Sequence, residues 1–279
     1  MSKNAEGHLS RLCIHTITTK PWKLDQAIYK YKKASIGGIS VWENYLDGYS
    51  LNEAGRLLKD SGLDVVSLVR GGFFTGLDNL SREKAIRKNI GMIEEAAAIG
   101  AGLLVLVCGA TPGQTLEVSR FQILKGIEAV LPHAEKNGVK LAIEPLHPVY
   151  SDIRSAINTI KTANDLAEKF DSLWLGVAVD VYHVWWDPEL EKEIFRCGKR
   201  GKLFAFHICD WRVPTRDVLN DRELMGRGII NIQQIIDWVK KAGFLGKYEV
   251  EIFSNEYWAS DLDKFLSDII ESFYKYKIE

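Results

Sequence analysis

Eight short apolar runs, at residues 12–16, 38–42, 65–69, 103–108, 139–144, 173–180, 203–209 and 248–253, recur along the chain with longer segments between them. Runs of this kind must be covered on both faces, which is the pattern of strands in a parallel sheet sheathed by helices. The intervening segments carry a 3.6-residue period. Ile86, Ile90, Ile93 and Ala97 share one stripe and Leu124, Ile127, Leu131 and Ala134 another, with Arg87, Glu94, Glu95, Glu128 and Glu135 off the stripes. Gly100, Gly138 and Gly243 stand between a helical pattern and the next run, where glycine ends a helix at little cost. The repeating unit is strand, loop, helix, turn.

Spread over 279 residues, eight units average about 35 residues, the size of a strand-helix repeat in a closed (β/α)8 barrel. An open doubly wound sheet is the rival, but it calls for a phosphate-cradling glycine loop after an early strand. The one candidate, Gly226-Arg227-Gly228, follows no run directly and lacks a third glycine. The expectation is an α/β fold, a single TIM-barrel domain over residues 1–279, with the polar stretch 1–10 as a candidate disordered terminus. A net charge of −1 provides no field to gather nucleic acid. No apolar run approaches the roughly 18 residues of a membrane span, and residues 1–10 lack the apolar core of a secretory signal. A cytoplasmic protein is expected, with a small-molecule partner rather than nucleic acid or membrane, and with a homo-oligomer left open. Cys13, Cys108, Cys197 and Cys209 lie far apart with no CxxC pair and read as reduced, buried thiols.

The last four runs each end in a metal-capable side chain: Glu144 in LAIEP, Asp180 in GVAVD, His207 in FAFHICD and Glu251 in YEVEIF. In a barrel the C-terminal strand ends meet at one mouth, so these residues become neighbours despite separations of 36, 27 and 44 positions. Strand phase supports this. Ala142, Gly176, Ala178 and Ala205 share the phase of the polar groups, whereas Ile143, Val177, Val179, Phe204 and Phe206 occupy the other. The barrel interior is the tighter side, so the polar residues are expected to point inward. Pro145 biases Glu144 toward extended backbone. Two Glu, one Asp and one His make a hard site suited to one divalent ion, Mn²⁺, Mg²⁺ or Co²⁺, with Zn²⁺ tolerable.

The order and strand placement of these motifs resemble the xylose isomerase-like TIM barrels over nearly the whole chain. That family includes sugar isomerases and epimerases, ketose 3-epimerases, hydroxypyruvate isomerases, inosose dehydratases and a DNA-repair endonuclease branch. The resemblance rests on Glu144, the Asp-x-x-His of Asp180 and His183, His207 with Asp210 three residues on, and Glu251 before an apolar and an aromatic residue. It implies that Glu144, Asp180, His207 and Glu251 bind one divalent ion, with Glu144 and Glu251 doubling as acid/base groups on opposite faces of a substrate. The implied reaction is proton transfer through an enediolate on a small keto sugar, polyol derivative or hydroxy-keto acid.

Other mouth residues carry alternatives. His183 is a candidate substrate contact, a second metal ligand or a support for Asp180. His147 and Asp210 lie on mouth loops as candidate substrate-binding or structural residues, and Arg70 as an anion clamp or a partner of a mouth carboxylate. Trp42, Trp185, Trp186 and Trp211 fall on or near strand ends, suited to sugar stacking or to lid packing. His15 is expected to be a satisfied core histidine, His133 to lie on a helix and His8 in the disordered terminus. Glu249 shares the parity of Glu251, so it would lie one layer below and need a partner such as Lys140, unless a bulge intervenes. A dehydratase of an inosose-like substrate and a non-catalytic sugar-binding barrel compete with the isomerase reading. The endonuclease branch fits least, because Arg70 and Cys108-Gly109 stand where its additional histidines belong. The lack of a second phosphate loop prefers a free polyol or ketose.

Overall fold

The computed structural model describes residues 3–278. Eight parallel strands close a barrel: β1 Leu12–His15, β2 Gly38–Trp42, β3 Asp64–Gly72, β4 Leu103–Val107, β5 Lys140–Ile143, β6 Leu175–Asp180, β7 Leu203–Ile208 and β8 Tyr248–Val250. Each pairs with its neighbours in chain order, and β8 closes on β1. All eight expected runs form strands. The runs at 139–144 and 248–253 stop pairing early, so Glu144 and Glu251 sit just beyond the ladder at the mouth.

Helices cover the outside. Ser50 and Glu53 form a reciprocal capping box for Leu51–Ser61, and Asp78 and Thr115 cap Asn79–Ile99 and Leu116–Asn137. Gly100 and Gly138 end those two long helices in the left-handed conformation. In Leu116–Asn137 Ile127, Leu131 and Ala134 of the expected stripe are buried, joined by Ile123, Gly126 and Val130, while Leu124 is partly buried. In Asn79–Ile99 the buried face is turned: Met92, Ile93, Ala96 and Ile99 pack inward with Asn89, while Ala97 is exposed. Asn89 explains the turn, because its amide is buried to hold both the N–H and the carbonyl of Gly72 at the end of β3. A polar residue that completes a strand end takes a core position the apolar period alone assigns to its neighbour.

Helix Leu262–Phe273 buries Phe265, Leu266, Ile269 and Phe273 against the barrel. Against it lies Lys3–Ser10, which is helical rather than disordered, and a ring nitrogen of His8 lies 3.2 Å from the Phe273 carbonyl. Met1 and Ser2 lie outside the described residues. The four cysteines are free and buried. Among the described residues no helix is long and apolar enough to cross a membrane.

Candidate active site

Strand register assembles the centre. β7 sets His207 opposite Asp180 on one side and Glu249 on the other, and β1 sets Cys13 opposite Glu249. Inward phase then stacks polar residues at the mouth above the small Ala142, Ala178 and Ala205. Glu144, Asp180, His207 and Glu251, all buried, each offer one ligand atom within 4.8 Å of the others. His207 Nδ1 lies 2.9 Å from Glu144 Oε1, yet among the described residues neither atom has a hydrogen-bond partner of good geometry. Buried polar atoms without partners are costly, and a cation among them removes the cost. The donor set of three carboxylates and one imidazole fits a hard or borderline divalent ion.

The carboxylates are held differently. Asp180 caps the short helix Val181–Val184 through the Tyr182 N–H at 2.9 Å, and its other oxygen accepts from Arg222 Nη1 at 2.9 Å. Burial raises its pKa to about 6, against the pull of Arg222. Glu251 accepts from the same Nη1 at 3.0 Å and faces His15 Nδ1 at 2.9 Å. Although burial opposes its charge, His15 and Arg222 hold it well below the usual carboxylate range. His207 is opposed by burial, but Glu249, Glu144 and Glu251 together push its pKa up to about 10.

Glu249 lies one layer down, as parity requires, but its partner is not Lys140, whose ammonium sits over the Phe204 ring. Glu249 Oε2 is 3.0 Å from His15 Nε2 and accepts from Ser40 Oγ at 2.6 Å and Ser67 Oγ at 3.3 Å, while Oε1 is 3.8 Å from His207 Nε2. His15 is buried, as expected, yet it bridges Glu249 and Glu251 at the centre rather than merely filling the core. Its position at the end of β1, equivalent to those of the other strand-end residues, was the available signal. Arg222 gave none: it lies on a two-stranded ribbon, Arg222–Glu223 against Asp210–Trp211, in the long loop after β7. Its buried guanidinium lies over Tyr182 at 4.4 Å, with Nη2 at 3.1 Å from His183 Nε2.

The remaining candidates divide. His183 is buried at the mouth, with Nδ1 accepting from the His147 backbone N–H at 3.2 Å. His147 lies on the rim, where its Nδ1 accepts from Val149 N–H and its ring packs against Trp186 and Trp211. Trp211 also stacks on Tyr182, so these indoles form a packed lid. Trp42 lies apart from it, with Nε1 3.3 Å from His15 Nδ1. Arg70 forms no ion pair with a mouth carboxylate; it lies over Phe73 and Trp42. Asp210 is engaged away from the centre. Its carboxylate accepts from the backbone N–H groups of Trp211, Gly226, Gly228 and Ile230 at 2.8–3.0 Å. Gly226-Arg227-Gly228 therefore wraps a carboxylate of its own chain, and a Cβ at Gly228 would stand 2.4 Å from Asp210 Oδ1. The reading of Asp210 as a substrate contact gives way to loop closure.

The chain belongs to the xylose isomerase-like TIM barrel family, whose profile matches residues 29–269. An inosose isomerase of Halalkalibacterium halodurans is 26% identical over 223 residues, spanning 77% of this chain and 75% of that protein. The crystal structure of protein SMc04130 from Sinorhizobium meliloti 1021 is 42% identical and superposes with a TM-score of 0.92, covering 95% of this chain and 98% of that one. The IolI protein, solved with a bound zinc atom, superposes with a TM-score of 0.82 at 20% identity, covering 96% and 100%.

Proposed function

We propose that this protein is a divalent-metal-dependent isomerase or epimerase of a small keto sugar, polyol derivative or hydroxy-keto acid, working by Glu-mediated proton transfer through an enediolate. The observation that carries it is the convergence of Glu144, Asp180, His207 and Glu251 around buried, unpartnered atoms. The inosose isomerase relative supports the carbohydrate-like substrate, and the zinc of IolI supports the ion. Held by those four side chains, a divalent ion (Mn, Mg, Co or Zn) would polarise a substrate carbonyl and stabilise negative charge developing on its oxygens. Once His207 gives up its proton to bind, four carboxylates at the centre face one guanidinium and one imidazolium, Arg222 and His15, and the formal excess of two negative charges suits such an ion.

The chain's own residues do the rest. Glu144, with one oxygen unpartnered, takes the proton beside the carbonyl and releases it to solvent, while Glu251, ionised in the resting site, takes up a proton from solvent and delivers it to the other face. Return to the same carbon epimerises, and return to its neighbour isomerises. Burial and Arg222 hold His183 well below the ordinary histidine range, so it is neutral with a single N–H. Nδ1 accepts from His147, so Nε2 bears the hydrogen and faces a second donor on Arg222. Asp180 Oδ2 lies 3.6 Å from Nε2, beyond a good hydrogen bond, so a substrate oxygen would be the better acceptor for the two converging donors. The packed indole lid excludes water.

Cys108, beside the position where the endonuclease branch would need a histidine, is fully buried with its thiol held in the protonated form, so it offers no further ligand. The test is turnover of an inosose, ketose and hydroxypyruvate panel in D₂O with each metal. Deuterium at the carbon beside the carbonyl is expected; a product lighter by one water would assign a dehydratase, and ion binding without any turnover would assign a sugar-binding barrel.

Ion binding carries its own pH signature. With His207 near 10, binding must release its proton, so affinity is expected to rise about tenfold per pH unit between about 6 and 10. Below about 6, Asp180 must also be deprotonated and the slope steepens. Calorimetric titration with Mn²⁺ in buffers of different ionisation enthalpy counts those protons, and pH-independent affinity would exclude His207 as a ligand.

A further inference from the structure

Two arginines at the mouth lack a counter-charge. Arg70, at the register shift between Val69 and Gly71 in the β3–β4 pairing, and Arg154, on the loop after β5, are both half-buried and neither forms an ion pair within 4.0 Å among the described residues. Arg70 lies 4.7 Å above the Phe73 ring and Arg154 5.5 Å above the Tyr150 ring. Both rings pack into one small apolar cluster with Val107, Leu146 and Leu219, separate from the main core. The two guanidinium groups thus flank a single patch. Tyr150 in turn meets the His183 ring at 5.8 Å, and Trp42, beneath Arg70, meets His15, so the patch borders the ion site.

Arg70 Nε is buried with no hydrogen-bond partner. Burial, then the charge of Arg154, disfavour the charged form of Arg70. Glu43, itself paired with Lys88, and then Glu144 and Glu251 offset this only from beyond contact, and a divalent ion would cancel the help of the last two. Partly desolvated like charges without an anion are unfavourable, and Arg is the side chain that takes carboxylate or phosphate through paired N–H donors.

We propose that Arg70 and Arg154 form an anion subsite at the mouth, which selects substrates carrying a carboxylate or phosphate group remote from the reacting carbonyl. This rests on the isomerase reading and narrows its substrate class to hydroxy-keto acids or phosphorylated keto sugars, against the free polyol expected from the missing phosphate loop. The guanidinium groups are planar by resonance and rest over the Phe73 and Tyr150 rings, so each can offer paired N–H donors to an anion.

The experiment titrates inorganic phosphate and, separately, glycolate into Mn²⁺-loaded wild type, Arg70→Met, Arg154→Met and Arg154→Lys. Direct contact of either anion with the ion is common to all four proteins, so only the difference between them reports the arginines. Each Met variant is expected to weaken the preferred anion by roughly tenfold or more, with Arg154→Lys partly restoring it. Mn²⁺ affinity and myo-inositol binding are expected to stay unchanged. The anion with the larger ratio of wild type to variant identifies phosphate or carboxylate as the group recognised. Equal affinity of all proteins for both anions would overturn the subsite, as would a loss confined to Mn²⁺ affinity. Since binding is read without turnover, arginine-dependent binding in a protein that exchanges no substrate hydrogen would refute the isomerase reading alone.

Discussion

Glu144→Gln and Glu251→Gln are each expected to lower solvent deuterium incorporation into substrate by about 10²–10⁴-fold, the usual contribution of a positioned acid or base. The two variants should differ in the resting protein. Glutamine at 144 removes one of the three carboxylates that hold the His207 proton, but Glu249 and Glu251 remain and no donor is stranded, so the metal-free fold is expected to lose less stability than the 251 variant. At 251 an amide must face Arg222 and His15 with one fewer oxygen, which leaves a buried donor unmet and costs about 1–3 kcal/mol. Mass-spectrometric exchange and thermal melts of the same preparations check both statements. Exchange at the wild-type rate in either variant would rule out the two-carboxylate mechanism; loss in only one would assign a single base and hence isomerisation.

Arg222→Met is expected to cost the metal-free protein about 3–5 kcal/mol, because it strands two buried carboxylates at once. Arg222 Nη1 bonds Asp180 and Glu251 at 2.9 and 3.0 Å, and both carboxylates are nearly inaccessible to solvent. Asp180 already has its pKa raised to about 6 with the arginine present, and without it the value rises further. A carboxyl whose pKa is higher folded than unfolded binds more protons in the folded state, so stability falls as pH climbs from about 4 through that value. The variant should therefore lose stability more steeply than wild type across and above this range. Saturating Mn²⁺ is expected to recover much of the loss, since the ion replaces the missing positive charge. Equal losses with and without Mn²⁺ in denaturant melts would mean that Arg222 acts through its packing on Tyr182 and Phe253 instead.

The residues legible in the sequence were those whose position on a strand decides their neighbours. Glu144, Asp180, His207 and Glu251 end successive strands, and closure of the barrel brings strand ends together whatever the intervening helices do. Parity likewise placed Glu249 beneath Glu251. Its partners were not legible, because Ser40, Ser67 and His15 come from β1 to β3, which only barrel closure sets beside β8, and no local period marks a contact between strands so far apart in sequence. Asp210 and the Gly226-Arg227-Gly228 loop show the same limit from the other side: a carboxylate near a strand end and a pair of glycines suggested ligand binding, but loop closure joins them to one another. The turned face of Asn79–Ile99 follows from one side-chain amide that serves a neighbouring strand.

By itself, then, the sequence determined the barrel, the end of it where metal-capable side chains gather and the four that meet there. Hydrophobic period, strand phase and chain order are properties of consecutive residues and survive in one dimension. Only the tertiary structure decided how the charges at that mouth are balanced: Arg222 from a loop ribbon against Asp180 and Glu251, His15 between two glutamates, and Arg70 and Arg154 with no carboxylate in contact. Electrostatic pairing depends on distance and burial, which the fold sets by joining segments whose separation along the chain carries no information about either.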